Sequence, residues 1–187
     1  MKNYKQRSKL IFFFSLYSVL NYSQTFQEVT KIGSFYGKTF SELEQGIGVK
    51  SIDTEIKFGI ESRAYSNQTY SILVSETEDN DLIGSILLLG KKGLEHENTW
   101  YSLVKYADEN QECTFIDGFY GDKKNAIYKY KIYLKDMLPL LRANVDLSET
   151  VYYLIYKYRN LYYHFCIVDG GFMIRIEKNL PKQINAK

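Results

Sequence analysis

Cysteine, proline and histidine are scarce in this chain, with two of each among 187 residues. No spacing of the histidines and cysteines brings three metal ligands together, so we predict no metal site. The sequence also lacks a nucleophile elbow and a dinucleotide fingerprint, and its paired acids fall only in predicted loops. We therefore predict no catalytic residues, no cofactor and no cofactor-binding residues, and we interpret the protein as non-enzymatic.

A long apolar run is also absent. The most apolar stretch, Leu10–Leu20, has 11 residues, whereas a membrane-spanning helix needs roughly 20. It follows four basic side chains in Met1–Lys9 and precedes a small residue, Ser23. This order is typical of a secretory signal peptide, so we expect residues 1–23 to be removed and the protein to be secreted, periplasmic or surface-located. An uncleaved leader that anchors the chain is the alternative.

The mature chain carries no large excess of one charge. Removing residues 1–23 takes away four basic side chains and no acidic one, so the formal net charge changes from +2 to −2. Such a chain lacks the basic footprint of nucleic-acid-binding proteins, and we predict no nucleic acid as partner and no membrane span after removal of the leader. The only prolines are Pro139 and Pro181, and no linker-like stretch occurs, so residues 24–187 are expected to form a single domain.

Tyrosine, by contrast, is abundant, with 18 residues. Tyrosine and β-branched residues favour strands, and several segments alternate with period two. We predict a mainly β (β-rich α+β) fold of eight to ten largely antiparallel strands, meander-like, forming a barrel or a sandwich, with one or two short helices. The predicted strands are Glu55–Arg63, Thr69–Glu76, Leu82–Leu89, Thr99–Ala107, Glu112–Phe119, Ala126–Leu134, Thr150–Tyr158, Leu161–Val168 and Phe172–Glu177.

Helical content is expected to be small. Short helices are predicted at Thr39–Gln45 and Met137–Ala143, the second with Asp136 as its N-cap. Helix is also an alternative for Thr99–Ala107, because its apolar residues recur at helical spacing as well. Those residues are Trp100, Leu103, Val104 and Ala107.

The C-terminal region predicts a β-hairpin whose register can be derived. Asp169–Gly170 is a strong signal for a two-residue turn, since Gly tolerates the positive φ that such a turn requires. A turn there places Phe165 opposite Ile174 on an apolar face and His164 opposite Arg175 on a wetter face. A slip of one residue would mix the two faces, so this register is favoured.

Few residues are candidates for a site. Cys113 and Cys166 are candidates for one disulfide in an exported protein, with two separate thiols as the alternative. His164 and Cys166 share a strand face, but residues i and i+2 stand about 6–7 Å apart, which is too far for direct proton transfer. His96 falls in a predicted solvated loop. The acidic loop after Glu76 lacks the ligand pattern of an EF-type calcium site. The ligand-binding residues remain unknown.

Three functional hypotheses follow. The first is an exported non-enzymatic protein that binds an apolar or glycan ligand in a β-barrel or groove. The second is a structural or interaction component of the cell envelope or surface, with Tyr152, Tyr156 and Tyr158 as a protein-facing patch. The third is a hydrolase with an unrecognised site. An interior cavity would favour the first hypothesis, a filled core with an exposed aromatic face the second, and convergent His, Asp and Cys side chains the third.

Overall fold

A computed structural model of the protein describes residues 26–68, 70–78, 80–90, 96–143, 149–168 and 171–180. The signal-peptide interpretation of residues 1–23 and the conformation of the Asp169–Gly170 turn lie outside these residues. Within them, the fold is mostly β, as predicted. Nine strands form one antiparallel sheet in the order β1-β2-β3-β4-β9-β8-β7-β5-β6. Because β1 and β6 are opposite edges, the sheet does not close, and the barrel alternative is wrong.

The helices and strands are numbered in chain order. Four described segments are helical: α1 at 26–33, α2 at Phe40–Ile47, α3 at His96–Glu109 and α4 at Leu134–Ala143. The strands are β1 Asp53–Lys57, β2 Ile60–Ser66, β3 Tyr70–Glu76, β4 Ile83–Gly90, β5 Cys113–Asp122, β6 Ile127–Tyr130, β7 Thr150–Tyr158, β8 Leu161–Val168 and β9 Gly171–Glu177. The helical content therefore exceeds the one or two short helices expected.

Three predicted strands need correction. Glu55–Arg63 is two strands, because Phe58 and Gly59 take φ of 54° and 81° and form a tight turn between β1 and β2. Thr99–Ala107 lies within α3, where its apolar residues are buried at helical spacing. Ala126–Leu134 ends as a strand at Tyr130, since Lys131 has φ of 54° and α4 begins soon after.

The predicted short helices are confirmed with shifted ends. Thr39 caps α2: its side chain accepts a hydrogen bond from the backbone of Glu42, whose carboxylate accepts one from the backbone of Thr39. Helix α4 begins at Leu134, so Asp136 lies in its first turn instead of capping it. Its early start buries Leu134 and Met137.

The core lies between the helices and one face of the sheet, which we call the covered face. Alternate residues of each central strand point into it, such as Ile72 and Val74 on β3 and Phe165 on β8, all 1% exposed or less. Helix α3 seals this face at β7: the Trp100 ring meets the Tyr152 ring edge-on, with centroids 4.9 Å apart. The core is therefore built on one side of the sheet, and no described helix covers the other side.

The hairpin register derived from the sequence is confirmed. Phe165 lies opposite Ile174, and His164 opposite Arg175, in the β8–β9 pair. Phe165 is fully buried in the core, as predicted. The expectation that His164 lies on a wet face is wrong: the residue is only 8% exposed, and its register partner on β7, Ile155, is 7% exposed.

Candidate functional site

The second face of the sheet bears none of the described helices, and we call it the open face. Its strands from β4 to β6 present an apolar row. Each residue of this row lies directly opposite the next one on the neighbouring strand. This row runs across six neighbouring strands, about 24 Å at the usual strand spacing. From β4 to β6 its members are Leu89, Met173, Cys166, Tyr153, Phe119 and Tyr130.

Several members of the apolar row are accessible to a partner. Leu89 is 39% exposed and Tyr130 is 74% exposed, while Met173, Tyr153 and Phe119 are half-buried. Scattered exposed apolar residues are ordinary, but contiguous exposed apolar patches are uncommon on folded domains. Because the row is continuous across the sheet, it is a candidate binding surface.

Aromatic rings dominate the β6 end of the row. The rings of Phe119 and Tyr153 are stacked, with centroids 5.6 Å apart and planes at 24°. The ring of Tyr130 lies 5.1 Å from Phe119 on the other side. Burial, and secondarily the charge of Asp117, raises the pKa of Tyr153, so its phenol stays neutral at physiological pH. These three rings form a continuous aromatic surface.

A second row lies beside the first, two residues along each strand and about 7 Å away. It mixes apolar and polar residues, which are Leu73, Leu87, Arg175, His164, Ile155 and Asp117. Leu73 is 43% exposed, and the guanidinium of Arg175 pairs with Glu177 on the same strand. We call this the mixed row.

His164 is the unusual member of the mixed row. Its Nε2 atom is buried and has no hydrogen-bond partner within the described residues. Burial, and secondarily the positive charge of Arg175, lowers the pKa of His164 to about 4, so the ring is neutral at physiological pH. A neutral imidazole nitrogen without a partner is available to donate or accept one hydrogen bond.

A polar cleft of about 160 Å³ lies where the mixed row meets the ends of β4 and β9. Its lining residues are Tyr36, Thr77, Gly84, Ser85, Arg175, Glu177, Lys178 and Asn179. Pockets for drug-sized ligands usually measure about 300–1,000 Å³, so this cleft suits at most a small polar group.

The candidate disulfide is not formed: Cys113 and Cys166 are both free thiols. They lie on β5 and β8 with β7 between them, and their partners Tyr158 and Tyr153 are five residues apart along β7. That arrangement separates the two cysteines by about 19 Å, far beyond the roughly 7 Å that a disulfide can bridge.

The thiol of Cys166 is also poorly suited to nucleophilic chemistry. Burial raises its pKa to about 12, against which the opposing effect of Arg175 is minor. Burial, followed by the charge of Glu112, raises the pKa of Cys113 to about 11. Both cysteines are therefore protonated at neutral pH, whereas the thiolate is the reactive form. His164 and Cys166 share the open face as predicted, but both are neutral there.

The tyrosine patch predicted on β7 belongs to the core. Tyr152 and Tyr156 are each 2% exposed, and the Tyr156 phenol donates a 2.7 Å hydrogen bond to Oδ1 of Asp108 on α3. The opposite face of β7, carrying Tyr153, is the one that remains accessible. From Val151 to Tyr156, β7 is aromatic or apolar on both faces, so the sequence signal did not distinguish them.

The remaining site predictions concern metals and membranes. Across the described ranges, no group of three His, Cys, Asp or Glu side chains is placed to hold a metal ion. His96 is the first residue of α3, not part of a loop. In the described part of the chain, none of the helices combines the length and apolar character needed to cross a membrane.

Comparison with known proteins identifies no family and a distant structural similarity. No protein-family model matches the chain, and no curated protein matches it. Among solved structures, the fold is similar to that of a cysteine-rich secretory protein from Staphylococcus aureus, with a TM-score of 0.39 and 11% sequence identity. The similarity covers 78% of this chain and 45% of that one, so this chain spans less than half of that protein's length. A TM-score this low transfers nothing to this protein.

Proposed function

We propose that this is an exported, non-enzymatic interaction protein that binds a protein partner of the cell envelope or surface through the open face of its sheet. The observation that carries the proposal is the apolar row from Leu89 to Tyr130, which crosses six strands without a described helix over it. Export rests on the leader in residues 1–23.

The composition of the open face supports a protein partner. The buried centres of protein interfaces are enriched in tyrosine, phenylalanine, methionine and arginine. The two rows of the open face contain all four types, with Arg175 beside the apolar row. Tyrosine and arginine are also the residues that most often dominate binding energy.

The open sheet and the filled core favour the interaction-protein hypothesis over the ligand-binding barrel. A ligand-binding barrel needs a closed sheet around a cavity, and this sheet has two free edges. Its covered face is filled by packed side chains from the helices. A filled core with an accessible aromatic face is the arrangement that favours an interaction protein.

Photo-crosslinking in the producing cells tests the proposal. A photoreactive residue is placed at Leu89 or Tyr130 on the open face, and at Ile127 as the control. Ile127 and Leu89 are both 39% exposed, but Ile127 lies on the opposite side of β6 from Tyr130. We expect the same protein adduct from both open-face positions and none from Ile127. Equal adducts from all three positions, or none at all, would refute binding at this face.

A purified partner allows a quantitative test. The double variant Leu89→Ser with Tyr130→Ser should weaken binding at least about tenfold, because it removes the two most exposed apolar side chains of the row, one from each end. Ile127→Ser should leave binding unchanged. Circular dichroism of the variants controls for folding, and an unchanged affinity of the double variant would contradict the proposal.

A glycan is the second candidate ligand, favoured by the polar cleft beside Arg175. Hydroxyl, amide and charged groups line it, and its size admits a small polar group such as the hydroxyl edge of a sugar. Calorimetric titration with soluble cell-surface polysaccharide would detect this binding, and Asn179→Ala should weaken it. Binding that is lost in Asn179→Ala and kept in the Leu89 and Tyr130 double variant would favour the glycan over the protein partner.

A further inference from the structure

Strand β1 forms one edge of the sheet and is exposed along its whole length. All five of its residues are solvent-accessible, and among the described strands it pairs with β2 alone. Exposed edges are templates for pairing with another strand. The outer backbone edge of β1 is therefore open to pairing with another strand.

The side chains of β1 separate into two kinds by face. Asp53, Glu55 and Lys57 alternate along one face, and Glu55 pairs with Lys57 at 2.7 Å. Ile56 lies on the other face and is 67% exposed. Ile52, just before the strand, is 71% exposed. An edge strand thus carries apolar groups on one side and charges of both signs on the other.

The turn that follows β1 holds an unusual residue. Phe58 has φ of 54° and is completely exposed. A bulky residue rarely adopts positive φ, and Asn or Asp is the usual choice at this position of a two-residue hairpin turn. Strain of this kind points to a functional use of the side chain. Phe58 adds an aromatic group to the same edge.

The sequence of β1 is complementary to itself when two copies run antiparallel. With Ile56 opposite the partner's Ile56, Glu55 lies opposite the partner's Lys57, and Lys57 opposite the partner's Glu55. Both charged pairs then have opposite signs, which stabilises cross-strand neighbours. Thr54 faces the partner's Phe58 in the same register. No like charges are opposed.

The other edge does not offer this complementarity. Self-pairing of β6 would bring Lys129 and its neighbour Lys131 close to the same residues of a second copy. Pairing β6 with β1 of another copy is also disfavoured. Nine alternating strands make β1 and β6 run in the same direction, so a continued sheet would need a parallel pair there.

We propose that β1 is a dimerisation edge, at which a second copy of this chain adds its own β1 antiparallel about a two-fold axis perpendicular to the sheet. The two sheets then continue as one, and both open faces point to the same side. Such a contact is isologous and closed, so it gives dimers and not fibres. The interface is small, typical of a weak, concentration-dependent dimer.

Single charge reversals test the register. Glu55→Lys gives an all-basic pair at positions 55 and 57, and Lys57→Glu gives an all-acidic one. Sedimentation velocity should show wild-type dimers, and each variant alone should dissociate at least about tenfold more readily. An equimolar mixture of the two variants should restore a dimer, because their charges complement each other. Lys129→Glu on β6 is the control and should leave dimerisation unchanged.

Several outcomes would overturn the proposal. These are a wild type that stays monomeric at high concentration, a dimer insensitive to both reversals, and a mixture that fails to dimerise although circular dichroism shows both variants folded. A wild-type monomer that takes up only foreign strand peptides would overturn self-pairing as well. Hydrogen exchange gives an independent measurement without any variant: the backbone amides of β1 should become more protected as protein concentration rises.

Discussion

His164 lies directly opposite Arg175 in the β8–β9 pair, yet the imidazole is buried and the guanidinium is exposed. The two side chains share one face of the sheet, so the difference comes from their neighbours. His164 lies opposite the buried Ile155 on its other side, whereas Arg175 lines the polar cleft. The result is a neutral histidine next to a cation, with an Nε2 that has no hydrogen-bond partner among the described residues.

The depressed pKa of His164 predicts a pH dependence of stability. Its pKa is near 6.5 when unfolded and about 4 when folded, so the unfolded state binds the extra proton between these values. The stabilisation is complete above about pH 6.5 and is lost as the pH falls toward 4, by up to roughly 3 kcal/mol. Urea unfolding of wild type and His164→Gln at pH 7.5 and pH 5 measures the difference. Equal losses of stability in both proteins would contradict a buried neutral His164.

Removing the buried side chain also has a cost. His164→Ala is expected to destabilise by about 1–3 kcal/mol, more than a solvated histidine would. Phe165→Ala should cost about 3–5 kcal/mol because its ring is fully buried in the core. The denaturant midpoints of the two variants compare the stability cost of removing a side chain from the open face with that of removing one from the core. A cost near zero for His164→Ala would mean that the open face is wetter than the structure indicates.

Helix α1 approaches the sheet closely at one glycine. A Cβ atom on Gly33 would lie 2.5 Å from the Tyr163 hydroxyl oxygen. Gly33→Ala is therefore expected to destabilise by about 1–3 kcal/mol, with thermal unfolding as the measurement. Tyr163→Phe in the same chain should recover part of the loss, since it removes the atom in closest contact. Full additivity of the two substitutions would show that the helix does not pack there.

The hydrogen bond between Tyr156 and Asp108 ties α3 to β7. Tyr156→Phe keeps the buried ring and removes only the donor, so a loss of about 1 kcal/mol is expected. Asp108→Ala should cost a similar amount. In a double-mutant cycle, the double variant should lose less stability than the sum of the two single variants. Additive losses would mean that the two side chains do not interact and that α3 packs differently on β7.

Two free thiols are expected in the native protein. Thiol titration under denaturing, non-reducing conditions should count two reactive groups per chain. In the folded state both should react slowly at pH 8, because burial raises the pKa of Cys113 to about 11 and that of Cys166 to about 12. No reactive thiol after denaturation would mean a disulfide, and with it a different strand arrangement.

Export gives a further prediction. N-terminal sequencing of protein recovered from the periplasm, surface or medium should begin near Gln24, because the short apolar run before Ser23 is typical of a cleaved leader. Recovery of the chain with an intact Met1 in the cytoplasm would contradict this.

Local sequence patterns predicted most of the strands and one register. In β8 and β9, alternation along both strands around Asp169–Gly170 allowed only one pairing that kept apolar residues together, and that pairing is the one observed. Where alternation was ambiguous, the prediction was wrong. Trp100 and Leu103 fit both a strand and a helix, and only the contacts with β7 and its neighbours make α3 the favoured state.

The sequence by itself determined that residues such as Phe165 and Ile174 form strands and share a face. It did not determine which sheet face would be covered by helices, because β7 is apolar or aromatic on both sides, at Tyr152 and Tyr153 alike. That choice depends on where the helices pack after long-range pairing of β4 with β9 and β5 with β7. The tertiary structure therefore decided that Tyr152 is core, that Tyr153 is surface, and that His164 is buried. On a strand that is apolar on both faces, burial depends on which distant segments meet it, so local alternation does not decide which face is covered.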